Sequence, residues 1–225
     1  MSIALDAVGQ ATRARIRDEG FIDSLRAHVP AGIVIHTQAE LDASLEGVLA
    51  RHGEDSDIHV FGYGSLMWNP ALDHVEASKA KVQGWHRRFC LRALFGRGCE
   101  QYPGLMLALD RGGACYGMLL RIEARKVRDE LRLLWRREMF TGVYEARWVT
   151  AWSGHSRIRA ITFTVNRSHP RYTNGLAVDQ AAHLINTGRG VLGSCRQYFD
   201  STLDRLKALG VRDAGMERLR IAIAG

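Results

Sequence analysis

The spacing of hydrophobic residues predicts that the chain begins with a helical part. The sequence Thr37-Gln38-Ala39-Glu40 fits a capping box, and Gly53 is a candidate C-terminal stop. Between them, apolar residues recur at helical intervals, namely Leu41, Leu45, Val48 and Leu49. We therefore predict a helical N-terminal extension over residues 1–56 and a second domain over residues 57–225, joined by the polar linker 53–57. The candidate chemical motifs all lie after Asp57, so we expect the extension to be dispensable for chemistry.

From Ile58 onward the pattern changes to short, glycine-separated segments rich in β-branched, aromatic and aliphatic residues. The predicted strands are 57–61, 81–93, 104–110, 114–123, 146–152 and 158–165, and the predicted helices are about 125–139, 178–187 and 195–208. Strands that cluster first and helices that interleave later indicate an α+β fold with a curved, largely antiparallel sheet. The glycine-rich segment 188–193 follows a helical pattern. We therefore predict a loop between helices there, with Ser194 capping the next one, and not a dinucleotide-binding turn.

One carboxylate of the helix at 125–139 falls on the apolar side. At about 100° per residue, Glu138 lies near the centre of the stripe formed by Val127, Leu131, Leu134 and Trp135. Burying a carboxylate without a partner costs several kcal/mol, so Glu138 is predicted either to close a buried ion pair or cap a backbone, or to follow a frayed helix end. Alternatively, a partly desolvated carboxylate has a raised pKa and suits proton transfer. The periodicity leaves these alternatives open.

The stretch VFGYGSLMW, residues 60–68, combines two glycines and a serine directly after a predicted strand. Glycines can take positive φ and expose successive backbone N–H groups, which bind anions or a developing oxyanion. An ordinary tight turn between strands is the alternative. The candidate substrate-binding residues of this turn are Gly62, Tyr63, Gly64, Ser65, Leu66 and Met67.

Composition and charge narrow the function classes. The 225 residues carry a formal charge of +7, but the arginines are spread along the chain and no nucleic-acid-binding signature is present, so we expect no nucleic-acid partner. No apolar run approaches the roughly 20 residues that span a membrane, and the charged N-terminus does not resemble a secretory signal, which favours the cytoplasm. The four cysteines lack a C-x-x-C spacing and are predicted to be reduced and mostly buried thiols. No G-x-S-x-G motif occurs, which argues against a serine hydrolase, and the histidines lack a metal-binding spacing, so we expect no metal site.

Read together, several blocks of residues 57–225 resemble the ChaC-like family of glutathione-specific γ-glutamylcyclotransferases. The blocks are VFGYGSLMW, GWHRRFCLR, PGLMLALD, LWRREMFTGVYEARWV, SHPRY and GRGVLGSCRQYF, followed by LKALGV. The Y-G-S-L and R-R-E-M-x-T-G-x-Y blocks are the most specific of them. The resemblance implies a β-barrel-like core with packed helices and cleavage of glutathione to 5-oxoproline and cysteinylglycine without a cofactor.

The resemblance also assigns roles to residues of this chain. It implies that Tyr63, Gly64, Ser65 and Leu66 hold the γ-glutamyl group and that Glu138 is the catalytic glutamate, while Tyr172 corresponds to a tyrosine associated with substrate contact. In such a reaction the substrate's own α-amine attacks its γ-carbonyl, so no protein nucleophile is needed. Arg92 is a candidate partner for a substrate carboxylate, with a structural salt bridge as the alternative.

The chain departs from the family pattern at ALFGRGC, residues 93–99, where the family commonly has a hydroxyl-rich stretch with a histidine. This departure keeps another γ-glutamyl amino acid or amine open as the substrate. A non-catalytic γ-glutamyl-binding regulatory domain is the remaining alternative, and the sequence does not give the oligomeric state.

Overall fold

The computed structural model describes residues 12–26, 29–30, 32–53 and 55–225. Within these ranges the predicted extension is helical, with α1 at Arg13–Arg17, α2 at Phe21–Arg26 and α3 at Gln38–Leu49. The capping box is confirmed, because Thr37 Oγ1 accepts from the Glu40 N–H while the Glu40 carboxylate accepts from the Thr37 N–H. Helix α3 ends at Leu49, before the predicted stop at Gly53. Residues 1–11 of the predicted extension and Glu54 of the linker lie outside the described residues.

Five long strands close into a barrel in the order β1-β3-β2-β4-β5. They are β1 (Ile58–Gly62), β2 (Glu76–Ala93), β3 (Gly104–Ile122), β4 (Tyr144–Ser153) and β5 (Ser156–Val165). Neighbouring strands pair antiparallel, except that β1 and β5 close the barrel in parallel through Val60 and Ile161. Large apolar side chains from several strands are fully buried, among them Phe61, Leu107, Leu119 and Phe163. The predicted α+β class with a mostly antiparallel, barrel-like core is confirmed.

The two strands predicted at 104–110 and 114–123 are one strand, β3. Gly112 and Gly113, which sequence reasoning treated as a break, adopt positive φ of 101° and 68°. Opposite them, Gly84 of β2 has φ of 81°, and the β2–β3 register shifts between Gln83 and Trp85. Glycine accepts positive φ without steric cost, so the two strands bend together through this irregularity and pairing resumes on both sides.

Four helices follow or interrupt the barrel strands: α4 (Val127–Glu138), α5 (Val178–Thr187), α6 (Cys195–Ala208) and α7 (Ala214–Ala224). The sequence reasoning did not predict α7. The segment predicted as a plain loop between helices contains a short hairpin, β6 (Arg189–Gly190) and β7 (Gly193–Ser194), and Ser194 caps α6 as expected. Among the described helices, none combines the length and the apolar character needed to cross a bilayer.

Helix α4 is the element to which the N-terminal extension is attached. Its apolar face is buried, and Trp135 packs edge-on against Phe163 with their ring centroids 5.5 Å apart. The buried Arg136 donates from Nη1 to the carbonyl oxygens of Ile16 and Arg17 and from Nε to Gln38 Oε1. Six residues earlier, the buried Glu130 accepts two hydrogen bonds from Arg13, which joins α1 to α4. Arg136 is not part of the apolar stripe predicted from the sequence, and the extension explains why it is buried.

This packing gives the extension a role in stability, and the expectation that it is dispensable for chemistry stays a prediction. We predict that removing residues 1–54 lowers the free energy of unfolding by about 3 kcal/mol or more, because Glu130 and Arg136 lose buried partners. Urea denaturation of the full and shortened chains measures the change. Glu46→Gln is the matched control, because it removes the exposed Glu46–Arg128 pair and should cost less than about 1 kcal/mol. A shortened chain as stable as the full one would contradict the prediction.

Candidate active site

A cavity opens where the turn after β1 meets the end of α4. Its larger, outer compartment is lined by residues from distant parts of the chain, including Phe21, Phe95, Arg137, Glu138, Arg171 and Leu192. A smaller, inner compartment lies against Tyr63, Gly64, Ser65 and Leu66. Both compartments are lined by Ser65, Met106, Glu138, Tyr144 and Tyr198, so Glu138 lies where they join. The structure thus brings together the turn and the glutamate that the sequence singled out separately.

The turn forms a short 3₁₀ helix, Ser65–Met67, after β1. Gly64 has φ of −125°, so positive φ is not the reason for glycine here. A Cβ at Gly64 would lie 2.7 Å from the Tyr198 hydroxyl, and one at Gly62 would lie 2.7 Å from Leu66 Cβ. The two glycines are therefore required by close packing. The Ser65 backbone N–H faces the Tyr198 hydroxyl and opposes the rise that burial causes in the pKa of that hydroxyl.

Glu138 is the last residue of α4, and its side chain is only 14% exposed. Burial raises the pKa of its carboxyl group, and the nearby Arg137 guanidinium opposes that shift. Arg137 Nε lies 3.0 Å from Glu138 Oε1. The alternatives drawn from the sequence therefore coexist, because Glu138 has an ion-pair partner and also lines the cavity.

Arg137 links this carboxylate to the turn. Its Nη2 donates to Ser65 Oγ at 2.8 Å, and its Nη1 donates to the carbonyl oxygens of Asn69 and Pro70 at 2.7 and 3.2 Å. Three hydrogen bonds on one guanidinium hold the end of α4 against the turn. Arg137 was not among the predicted site residues, and its position next to Glu138 was the available signal.

Three tyrosines surround the junction of the compartments. Burial raises the pKa values of Tyr63, Tyr144 and Tyr198, and the negative charge of Glu138 adds to the effect at all three. Their hydroxyl groups therefore stay protonated and can donate hydrogen bonds near neutral pH. The Tyr144 hydroxyl donates to the Leu107 carbonyl at 2.8 Å. Tyr144 and Tyr198 were not among the predicted site residues.

A buried arginine supports the turn from behind. Arg87 Nε donates to the Tyr63 carbonyl at 2.6 Å, and its Nη2 donates to the Tyr116 carbonyl at the same distance. Its Nη1 forms an ion pair with Asp213, whose other oxygen accepts the N–H groups of Gly215 and Met216 at the start of α7. The helix that sequence reasoning missed is therefore connected to the site through a single side chain.

Two predicted candidates lie elsewhere. Tyr172 does not line either compartment, and its hydroxyl donates to Asp110 Oδ2 at 3.0 Å. Arg92 has an exposed side chain that lines a separate groove beside Asp179. The adjacent Arg171 is the residue of this region that lines the outer compartment. Among the described residues, no group of three or more His, Cys, Asp or Glu is placed to hold a metal ion.

The close contact at Gly64 gives a prediction about stability. Gly64→Ala should lower the free energy of unfolding by about 1–3 kcal/mol, because the added methyl group overlaps the Tyr198 hydroxyl. In a Tyr198→Phe background the same substitution should cost less, since the obstructing oxygen is gone. Chemical denaturation of the four chains forms a double-mutant cycle.

Gly47→Ala is the control for this cycle, because Gly47 lies in helix α3 with open space around the position of a Cβ. It should be neutral or stabilising, as alanine favours helices. Equal losses from Gly64→Ala in both backgrounds would show that the hydroxyl is not the obstacle.

Comparison with known proteins identifies the family. The family model described as ChaC-like protein matches residues 58–224. The glutathione-specific gamma-glutamylcyclotransferase of Escherichia coli K12 is 40% identical over 182 residues, which cover 80% of this chain and 79% of that protein. The mouse glutathione-specific gamma-glutamylcyclotransferase 1 is 27% identical over 163 residues, which cover 70% and 73%.

A crystal structure of a glutathione-specific gamma-glutamyl cyclotransferase from yeast has the same fold. It superposes with a TM-score of 0.69 at 17% identity and covers 75% of this chain and 96% of the yeast chain. With a family model that spans residues 58–224 and a relative 40% identical over four-fifths of its length, this chain belongs to the ChaC-like protein family.

Proposed function

We propose that this protein cleaves glutathione to 5-oxoproline and cysteinylglycine, with Glu138 as the general base and general acid. The observation that carries the proposal is the buried Glu138 carboxylate, which lies beside the turn at Gly64 and Ser65 where the two compartments join. The names of the E. coli and mouse relatives support glutathione as the substrate.

The two compartments match the two parts of the substrate. The γ-glutamyl group fits the inner compartment, against Tyr63 and Gly64, and the cysteinylglycine part extends into the outer one. The scissile amide then lies beside Glu138. Holding the γ-glutamyl chain folded brings its α-amine to its γ-carbonyl, and well-oriented intramolecular reactions reach effective molarities of about 10⁵ to 10⁸ M.

At the level of the free amine, the reaction moves one proton from the attacking nitrogen to the leaving nitrogen. The substrate ammonium first loses a proton to solvent, which the amine of cysteinylglycine regains from solvent after its release. The free amine attacks the γ-carbonyl carbon, whose π electrons move onto oxygen. Glu138 accepts the second proton of the attacking nitrogen. When the tetrahedral intermediate collapses, the bond to the cysteinyl nitrogen breaks and Glu138 returns its proton to that nitrogen. No water is consumed, and the carboxylate ends in its starting state.

The surroundings of Glu138 suit this role. Burial raises the pKa of Glu138, which makes the carboxylate a stronger base, while Arg137 at 3.0 Å keeps the ionised form accessible. The buried Tyr198 hydroxyl is a donor available near a developing oxyanion, whereas the Tyr144 hydroxyl already donates to the Leu107 carbonyl. Three arginines and one glutamate line the outer compartment, and this positive excess suits glutathione, a net anion.

A specific observation keeps a second γ-glutamyl substrate in consideration. Phe95, Gly96 and Arg97, from the stretch that departs from the family pattern, line the outer compartment, where the leaving group would lie. Comparing the rates of 5-oxoproline release from glutathione and from several γ-glutamyl amino acids and amines distinguishes the two. A higher kcat/KM for another γ-glutamyl compound would replace glutathione but leave the reaction type intact, and no 5-oxoproline from any of them would overturn the proposal.

We predict that Glu138→Gln lowers kcat by about 10² to 10⁴-fold, because the amide cannot carry the proton. Glu130→Gln on the same helix is the matched control, since Glu130 is buried but pairs with Arg13 and does not line the cavity. It should lower stability and leave kcat nearly unchanged. Steady-state release of cysteinylglycine measures the rates. A Glu138→Gln protein that keeps more than about a tenth of the rate would exclude the general-base role.

The pKa of Glu138 also predicts how stability depends on pH. Because the folded-state pKa is raised above the ordinary value of 4.5, folding favours the protonated carboxyl group. The contribution of the protonated Glu138 carboxyl group to the stability of the folded state is therefore present below the unfolded-state pKa. It is lost as the pH rises through the folded-state pKa. Relative to wild type, Glu138→Gln should therefore gain stability as the pH rises from the ordinary carboxyl pKa of 4.5 towards neutral pH. Thermal unfolding of both proteins across this range measures the difference, and a constant difference would contradict the prediction.

A further inference from the structure

Arg171 is a buried cation in the wall of the outer compartment, only 7% exposed. Its Nε donates to the Arg92 carbonyl at 2.7 Å, and its guanidinium lies over the Phe95 ring at 4.6 Å. These contacts fix the side chain but leave its terminal nitrogens unused. Among the described residues, no carboxylate forms an ion pair with it and no acceptor bonds to Nη1 or Nη2.

Two other buried or half-buried arginines around the site have an acidic partner. Arg87 pairs with Asp213, and Arg137 pairs with Glu138. A buried charge without a partner is costly, and burial lowers the pKa of Arg171 to about 10. Arg171 therefore remains protonated at neutral pH, with an unmatched positive charge facing a cavity.

Arg171 lines only the outer compartment, whereas Glu138 lies where the outer and inner compartments join. A substrate whose γ-glutamyl group fills the inner compartment and whose scissile amide lies at Glu138 thus extends its leaving group into the compartment that Arg171 lines.

We propose that Arg171 binds the C-terminal carboxylate of the peptide substrate, which in glutathione is the glycyl carboxylate. This inference rests on the proposed function and adds the residue that recognises the leaving group of the substrate. The two terminal nitrogens of a guanidinium match the two oxygens of a carboxylate, and the ring of Phe95 holds the guanidinium plane in place.

The contact is remote from the bond that breaks, so it should stabilise the bound substrate and the transition state equally. Such uniform binding lowers KM without raising kcat. Arg171 is therefore a specificity residue in our proposal, and Glu138 a catalytic one.

The test compares glutathione with its glycinamide analogue, in which a carboxamide replaces the glycyl carboxylate. For wild type, the analogue should have a KM about 10- to 100-fold higher, with a similar kcat. Arg171→Gln should raise KM for glutathione by that factor and leave the analogue unaffected. Arg171→Lys should give a KM for glutathione between those of wild type and Arg171→Gln, because a point charge keeps the attraction but loses the paired geometry.

Equilibrium binding separates this inference from the proposed function. Calorimetry with Glu138→Gln and with Glu138→Gln combined with Arg171→Gln measures the affinity for both peptides without turnover. Loss of discrimination in the double variant supports Arg171 even if the wild type releases no 5-oxoproline. An equal loss of affinity for both peptides, with urea denaturation as the folding check, would assign Arg171 a structural role and overturn the proposal. An effect confined to a glutathione analogue with an α-carboxamide would also overturn it, because the wrong carboxylate would then be involved.

Discussion

The structure of the site depends on one electrostatic constraint: a carboxylate at the end of α4 is held among largely apolar side chains. Burial disfavours the charge of Glu138, and Arg137 at 3.0 Å is the partner that compensates for it. The same guanidinium bonds to Ser65 and to the backbone at Asn69, so the compensation also fixes the turn after β1. Moving α4 would therefore disturb the proposed base and the proposed substrate-binding turn together. This coupling explains why so many polar contacts converge on one helix.

The N-terminal extension takes part in the same coupling. It lies before the region that the family model matches, yet Phe21 lines the outer compartment and the backbone at Ile16 and Arg17 accepts hydrogen bonds from Arg136. Arg136 and Arg137 are adjacent on α4. Arg136 forms hydrogen bonds with the extension, and Arg137 forms hydrogen bonds with the turn. The division of the chain at residue 56 remains a prediction about domains. The packing nevertheless joins the two parts through α4.

Much of the fold could be predicted because its signals are local. The capping residues Thr37 and Ser194 mark helix starts by side-chain chemistry, and the apolar stripe of α4 placed Glu138 on the inner face. Gly112 and Gly113 led to the wrong prediction of two separate strands. Whether these glycines end a strand or bend it depends on pairing with β2, and that pairing is a long-range contact. Tyr144, Tyr198 and Arg171 reach the cavity from three separate elements, and no spacing along the chain predicts such a meeting. Arg171 and Tyr172 are adjacent in the chain, and only the fold determines which of them lines the cavity.

The burial of three cysteines limits how the protein can react in thiol–disulfide exchange. Cys90, Cys115 and Cys195 are buried and free, and burial raises their pKa values to about 12, 11 and 11. At pH 7 a thiol with a pKa of 11 is ionised to only about one part in ten thousand. Thiol–disulfide exchange requires an accessible thiolate, so these three sulfurs are poor targets for oxidised glutathione. The three buried sulfurs are thereby kept out of exchange with a thiol-bearing substrate, and the half-buried Cys99 is the sulfur that remains within reach.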